Sequence, residues 1–433
     1  MIRPGNRPTD RLRLLLVLAA IVLLVAGLWW ALDLWAPPPP RTVTMATGPE
    51  GGAYVEVAER YRAILARAGV ELLLRPTAGA VENLALLRDA GSGVSVGFVV
   101  AGTAREDDSG TLVSLGTVFY EPFWLFHRGL DPGRGGAGLQ GKRIAIGPEG
   151  SGTRELALHL MGLVGLDTGS AELLPLTPEE AADALARGEI DAAPLLTSWD
   201  SPLVHRLLVT PGVELAGFPR ADAHLALNPH LSKLVLPAGV ADLARNMPPA
   251  DVVLIATKGN LVVRRDLHPA VQYLLLSAAD EVHSRPGLFH RPGEFPAAEA
   301  IDLPLSEYAR QFHKSGRPWL QRFLSFRVAI LAERLLILLV PLLGIVYPLL
   351  KLLPALYTWA IRRRIFRLYG QLKLIEIEAE RTGDEGFSAG LLARLNDLDE
   401  RVSHLRVNRP HAWLAYTLRH HINFVREKLR QVR

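Results

Sequence analysis

Two stretches decide the reading of this chain: Ala46-Thr47-Gly48-Pro49-Glu50-Gly51-Gly52-Ala53-Tyr54, and Gly147-Pro148-Glu149-Gly150-Ser151-Gly152-Thr153 about a hundred residues later. Each follows a short apolar run and opens a helical pattern, and Gly-Pro-Glu-Gly occurs in both. Glycines let a ligand approach the backbone closely, and the N–H groups of a helix's first turn point at whatever sits there. The helix dipole favours negative charge at that end. The repeat therefore reads as a pair of anion sites. Its candidates are Thr47, Gly48, Gly51, Gly52 and Tyr54 on one side, and Gly150, Ser151, Gly152 and Thr153 on the other. Ser151 and Thr153 offer hydroxyl donors, as do Thr47 and Tyr54. Neither loop is a nucleotide motif: a P-loop needs Gly-Lys-Ser/Thr, and Gly-x-Gly-x-x-Gly is not matched. Glu71 alone, near where a ribose-binding acid falls, is a slight case for a dinucleotide.

Working outward, strand and helix patterns alternate. Strands are expected at residues 42–46, 70–75, 94–100, 142–146 and 190–196, and helices at 53–68, 81–89 and 153–163. A further helix has Thr177 as N-cap, Pro178 at the first position, Glu180 closing the capping box and Gly188 as its stop. Two such series imply two α/β lobes, each a largely parallel sheet covered by helices, with a cleft between them. The expected boundaries are 41–118 with 215–310 for one lobe and 119–214 for the other, inside a domain of residues 41–325.

The loops, in order and spacing, resemble TAXI-type solute-binding proteins, the extracytoplasmic receptors of TRAP transporters. Ala80-Val81-Glu82-Asn83-Leu84, Tyr120-Glu121-Pro122-Phe123-Trp124 and Gly188-Glu189-Ile190-Asp191-Ala192-Ala193 belong to the same resemblance. It covers roughly residues 42–298, and the stretch 333–370 is similar to that of a subgroup with a second membrane anchor. The resemblance implies a periplasmic-binding-protein fold of type II, a small carboxylated solute held between the lobes, and a TRAP-type permease as partner. It implies ligand contact at Gly51, Gly52, Tyr54, Asn83, Ser151, Gly152 and Thr153, with Trp199 in addition. Pro49 and Glu50 depart from the small residues common there, so Glu50 meets a ligand ammonium or faces solvent. Val99-Val100-Ala101 replaces a stretch that is often more polar.

Composition frames this reading. The 433 residues are 49% hydrophobic and 21% charged, with a net charge of +4 and no cysteine. Disulfides, thiolate metal sites and cysteine nucleophiles are excluded. The scattered Lys and Arg make no nucleic-acid footprint. Residues 12–35 are apolar and long enough to span a membrane; Trp29, Trp30 and Trp35 crowd the exit, and Pro37 to Pro40 follow. A cleaved signal peptide is the rival reading. A second apolar stretch lies at 331–361, interrupted by Lys351 and by Pro341, Pro348 and Pro354, with the span ending near Leu350 and an interfacial segment after it. Arg3, Arg7, Arg11 and Arg13 before the first span place the N-terminus (residues 1–11) in the cytoplasm. Two spans return the tail, residues 362–433, to the same side. The expectation is thus an α/β two-lobed domain between two transmembrane helices of a bacterial inner membrane, with a C-terminal helical tail.

In that tail Ile365, Leu368, Leu372, Ile375 and Ala379, then Leu391, Leu395, Leu398, Val402 and Leu405, follow three- and four-residue steps. An intramolecular hairpin and a homo-oligomer contact both fit. Enzyme motifs were sought among the histidines (His224, His230, His283, His290, His420 and His421); none has the His-Glu-x-x-His spacing, and no Gly-x-Ser-x-Gly elbow occurs. The expectation is a binding protein without cofactor or metal, and not an enzyme.

Overall fold

The computed structural model describes residues 8–35, 37–49, 52–130, 137–381, 385–405 and 412–431. Glu50 and Gly51 of the first loop, and Arg3 and Arg7, lie outside them. The chain divides into two compact units, Trp35–Glu333 and Met1–Leu34 with Arg334–Arg433.

The larger unit is mixed α/β. Its first half sets β1 (Thr42–Ala46) between β2 (Glu71–Arg75) and β3 (Val96–Val100), all parallel. Parallel neighbours need a crossover, and α2 (Ala53–Arg67) and α3 (Ala80–Arg88) supply it. The helix α2 turns Tyr54, Ala58, Tyr61 and Leu65 onto the sheet at helical spacing. Every residue of β3 is buried, as expected of a strand covered on both faces. The second half repeats the plan with β5 (Arg143–Ala145) between β6 (Glu172–Leu174) and β7 (Ala192–Leu196). Its helices are α4 (Gly152–Leu163) and α5 (Pro178–Arg187). The capping box forms as expected. Glu180 N–H donates to Thr177 Oγ1 at 3.4 Å, Thr177 N–H donates to Glu180 Oε2 at 2.9 Å, and Gly188 ends α5 at φ +75°.

Two long antiparallel strands, β4 (Leu112–His127) and β10 (Val252–Arg264), run through both halves. Residues 259–263 of β10 pair with β3, while residues 123–127 of β4 pair with β7. Within the stretch paired with β3 the β4–β10 register slips at Gly259/Asn260 and again at Leu261/Val262. The sheet is thus continuous, in the order β2-β1-β3-β10-β4-β7-β5-β6, but irregular on the first-lobe side of the passage between lobes.

One boundary differs from the sequence reading. The chain does not return to the first lobe near residue 215. There β8 (Glu214–Ala216) pairs with β4, β9 (Ser232–Leu236) pairs with residues 252–256 of β10, and Leu234, Leu236, Leu254 and Ala256 join the second lobe's core. The return comes within β10, near Lys258. It is followed by α8 (Pro269–His283), which packs its apolar length on the first lobe with Tyr61, Phe98 and Leu275 in the same core.

The other unit takes α1 (Pro8–Trp35) up to Leu34 and α11 (Phe326–Arg381) from Arg334 onward; α11 is one helix of 56 residues that runs through Pro341, Pro348 and Pro354. The sequence reading ends a span near Leu350; the helical backbone instead continues into the tail. Among the described residues one stretch, Phe326–Pro348, is long and apolar enough to cross a membrane, with mean hydropathy 2.3; Val22–Trp35 is a shorter apolar one. Asp33 near the end of α1 pairs with Arg334, whose guanidinium also lies 5.4 Å from the Trp29 ring. In the tail, α12 (Glu385–Ser403) and α13 (Ala412–Gln431) pack with the end of α11. Ile365, Leu372 and Ile375 meet Leu391, Leu395, Leu398 and Val402 there, and Leu418, Ile422, Val425 and Leu429 complete the core. The seam closes within the chain.

Candidate functional site

The two Gly-rich loops meet across one cleft. Gly48, Pro49, Gly52, Ala53 and Tyr54 border it from the first lobe, and Gly147, Pro148, Ser151, Gly152 and Thr153 from the second. Leu176, Pro178, Thr197, Ser201 and Leu203 close its second-lobe wall. Four helices of the sheet crossovers, α2, α3, α4 and α5, start here. The N-caps of α2 and α3, Gly52 and Gly79, have no side-chain cap, whereas Ser151 caps α4 by accepting from Arg154 N–H at 3.2 Å. Of the first-turn N–H groups, Glu82 N–H in α3 already donates to Gly150 O and Val55 N–H in α2 to Gly52 O, so those of the first two positions of each helix are the ready partners for ligand oxygens.

The expected residues divide into three groups. Gly48, Gly52, Tyr54, Ser151, Gly152 and Thr153 line the cleft. Thr153 is placed to donate, because its Oγ1 accepts from Leu196 N–H at 3.2 Å and keeps its own hydrogen free of that bond. Ser151 is differently occupied: its hydroxyl donates to the Pro148 carbonyl at 2.8 Å. Thr47, Asn83, Gly150 and Trp199 are not among the lining residues. Asn83 is fully buried behind the first loop, donating to the carbonyls of Thr47 and Phe98 and accepting from Thr77 Oγ1 at 2.6 Å. Thr47 Oγ1 donates to Arg75 O at 3.1 Å. Both hold the first loop through these bonds. Trp199 packs against Trp124, Phe289 and the His205 ring, the last with centroids 4.3 Å apart. Gly51 lies outside the described residues.

The lobes touch at the rim. Glu82 N–H donates to Gly150 O at 3.2 Å, and a Cβ on Gly79 would lie 3.3 Å from Ser151 Cα. Gly79 has φ +139° and ψ −158°, a conformation open to glycine, so that position is doubly restricted. It was missed in the sequence because nothing marks a helix start there except the glycine itself.

The larger omission is Glu121. It is 2% exposed, lines the cleft floor, and accepts a hydrogen bond from Tyr54 OH at 2.8 Å. Tyr54 comes from the first lobe, and Glu121 from β4 just beyond the crossing. Burial pushes the Glu121 carboxyl up to about 8, although the Tyr54 bond opposes this; burial, then the nearby carboxylate, raises the Tyr54 phenol. The Tyr54 ring is fixed by Phe98 and Phe119, at centroid distances of 5.2 and 6.0 Å. A signal was available: Glu121 is the only acid in the apolar run 112–127, and such a residue is rarely buried without a reason. The other carboxylate on the lining is Glu179, and no Lys, Arg or His is among the described lining residues.

Several solved structures are similar to this chain. The aliphatic sulphonate binding protein SsuA of Escherichia coli is 16% identical, with 57% of this chain and 73% of that one covered and a TM-score of 0.36. The alkanesulfonate-binding protein SsuA of Xanthomonas axonopodis pv. citri, bound to MOPS, is 18% identical over 56% and 73%, with a TM-score of 0.35. The VFT2 domain of BvgS from Bordetella pertussis is 13% identical over 56% and 87%, with a TM-score of 0.32. No curated protein matches in sequence. A family model does match, over residues 45–285, a span that takes in both Gly-rich loops, Glu121 and the whole described lining of the cleft. By that match, over more than half its length, the chain belongs to the NMT1-like family.

Proposed function

We propose that the chain is a membrane-tethered receptor that closes two lobes on a small solute outside a bacterial inner membrane and delivers it to a TRAP-type permease. The observation that carries the reading is the convergence of both Gly-rich loops, with the uncapped starts of α2 and α3, on one cleft. Those N–H groups and Thr153 Oγ1 suit the carboxylate of a small organic anion or amino-acid-like solute. Gly51 is part of the proposed site with Gly48, Gly52, Tyr54, Gly152 and Thr153. The TAXI-type assignment, finer than family membership, rests on the loop motifs and their order. The two-span topology is supported by the pairing of Asp33 on α1 with Arg334 on α11, since charges at membrane depth find partners. Lipid then surrounds the exposed apolar face of Phe326–Pro348, of which 11% is buried. The role is binding, with no reaction at the cleft.

Native mass spectrometry of the purified full chain tests this. The expected result is a retained solute of low mass. Thr153→Ala removes one hydrogen bond to a charged group, worth about 1.5–3 kcal/mol, and should weaken affinity for that solute by about ten- to a hundredfold. No retained solute, with no small molecule raising the melting temperature, refutes the receptor reading.

A second reading has its own observation. The apolar stretch and the first helix of the tail bundle are one helix, α11, so a signal relayed to the tail is mechanically available. A tail deletion that leaves uptake intact separates transport from sensing.

A further inference from the structure

The cleft's side-chain charge does not match a plain anion. Its described lining has two carboxyl groups, Glu121 and Glu179, and no cationic side chain to set against them. Glu121 is the deeper of the two, and the hydrogen bond it accepts comes from a neutral phenol. Among the described residues no Lys, Arg or His forms an ion pair with it. A buried carboxyl is costly unless paired with a cation or kept neutral, and this one has no cation of its own. Yet it sits where both lobes meet the ligand, with its ring partner Tyr54 held rigidly by Phe98 and Phe119. Apolar side chains would fill such a floor more stably. A carboxyl kept there unpaired has a partner that arrives from outside.

We propose that Glu121, held by Tyr54, is the charge selector of the cleft: it accepts a hydrogen bond from a protonated nitrogen, so the solute is a small ammonium-type or zwitterionic molecule. This rests on the receptor reading above and narrows its ligand class. The helix starts of α2 and α3 and Thr153 then meet oxygens of the ligand, while Glu121 meets its nitrogen. The proton count follows. Burial keeps the empty-cleft carboxyl protonated near neutrality. When an ammonium group seats against it, the carboxyl ionises and its proton leaves to solvent, so one proton is released for each ligand bound. Beside Glu121 are Tyr54 on α2, which donates to it, and Thr257, its cross-strand partner on β10; Glu179 at the start of α5 lines the same cleft from the second lobe. None of these supplies a cation.

The experiment uses the full chain in detergent with matched solute pairs that differ at one nitrogen: alanine and pyruvate, glutamate and 2-oxoglutarate, leucine and 4-methyl-2-oxopentanoate, butylamine and butanol. The expected result is that, in at least one pair, only the nitrogen-bearing member raises the melting temperature. For that member, calorimetry in phosphate and in Tris at neutral pH should differ by the heat of about one released proton. Glu121→Gln keeps the shape and the acceptor for Tyr54 but cannot ionise. It should weaken that ligand by about ten- to a hundredfold and abolish the buffer dependence. The buffer comparison on unaltered protein stands even where the variant folds poorly. Oxo-acid or alcohol members binding as well as their partners, with no proton released, overturn the selector and leave the receptor intact. Failure of every member of every pair to shift the melt overturns the receptor reading and the selector together.

Discussion

Glu121 and His283 make opposite demands on the pH of the solvent. The buried Glu121 binds more protons folded than unfolded between about 4.5 and about 8. Its contribution is therefore present at low pH and lost as pH rises across that window, at about 1.4 kcal/mol per pH unit. His283 is buried beside Tyr61 and Phe119, and burial pulls its imidazole down to about 3. It binds fewer protons folded than unfolded, so it destabilises as pH falls below about 6.5. The two slopes oppose each other where the windows overlap, and a wild-type melt alone does not separate them. The difference between ligand-free melts of Glu121→Gln and wild type does: the variant's advantage should grow steadily from about pH 4.5 to 8. Asn83 gives a contrasting expectation. Asn83→Ala removes its bonds to the carbonyls of Thr47 and Phe98 and to the Thr77 hydroxyl, leaving Thr77 and Thr47 only their mutual 3.3 Å bond, at about 1–3 kcal/mol for each buried group left unsatisfied. The ligand-free melt should fall sharply, whereas Thr153→Ala, which takes the partner only from the half-buried Leu196 N–H, should lower it far less. At this scale the sequence shows which residues crowd a loop but not which way each points. Asn83 sits in the motif and faces inward; Glu121 sits in an apolar run and faces the cleft.

Elements were far more legible. The capping box of α5 forms as read because its signal is local: Thr177, Pro178 and Glu180 meet within a single turn. The fully apolar β3 and the amphipathic face of α2 were equally local. The β9–β10 hairpin was not, since its partners come from far along the chain, and two apolar runs do not say which lobe will take them. The return near Lys258 depends on β10 pairing with β9 at one end and β3 at the other. The tail's three- and four-residue steps were visible, but the sequence left open whether a seam finds its partner in the same chain. Ile365, Leu372, Leu395 and Leu418 now share one interior. Leu395→Ala, at a fully buried position, should cost the tail about 2–5 kcal/mol in a melt of the helical signal. The oligomeric state in detergent and the affinity for solute should both stay as they are. A shift in oligomeric state would show the seam to be shared between copies.

For the whole molecule, the proposed two-span topology, read from the arginine bias of the N-terminus and the two apolar stretches, predicts both ends on one side of the membrane. Single cysteines report this cleanly on a cysteine-free background. In intact cells an impermeant thiol reagent should label Asp107→Cys, in the α/β unit, and miss Glu427→Cys, on α13. The reverse pattern would invert the topology. The passage between the lobes has a further consequence. Two ribbons, β4 and β10, cross together, and their pairing is irregular only around Gly259 to Val262. A double ribbon bends about one line, like a book about its spine. Points near the spine barely travel, while the outer margin sweeps through the largest arc. Glu121, opposite Thr257, lies beside that line; the contact of Glu82 with Gly150 lies at the margin. A solute entering an open cleft thus meets the carboxyl before the loops arrive. Recognition of charge precedes enclosure, and rapid mixing should show the released proton ahead of the slower change in tryptophan fluorescence.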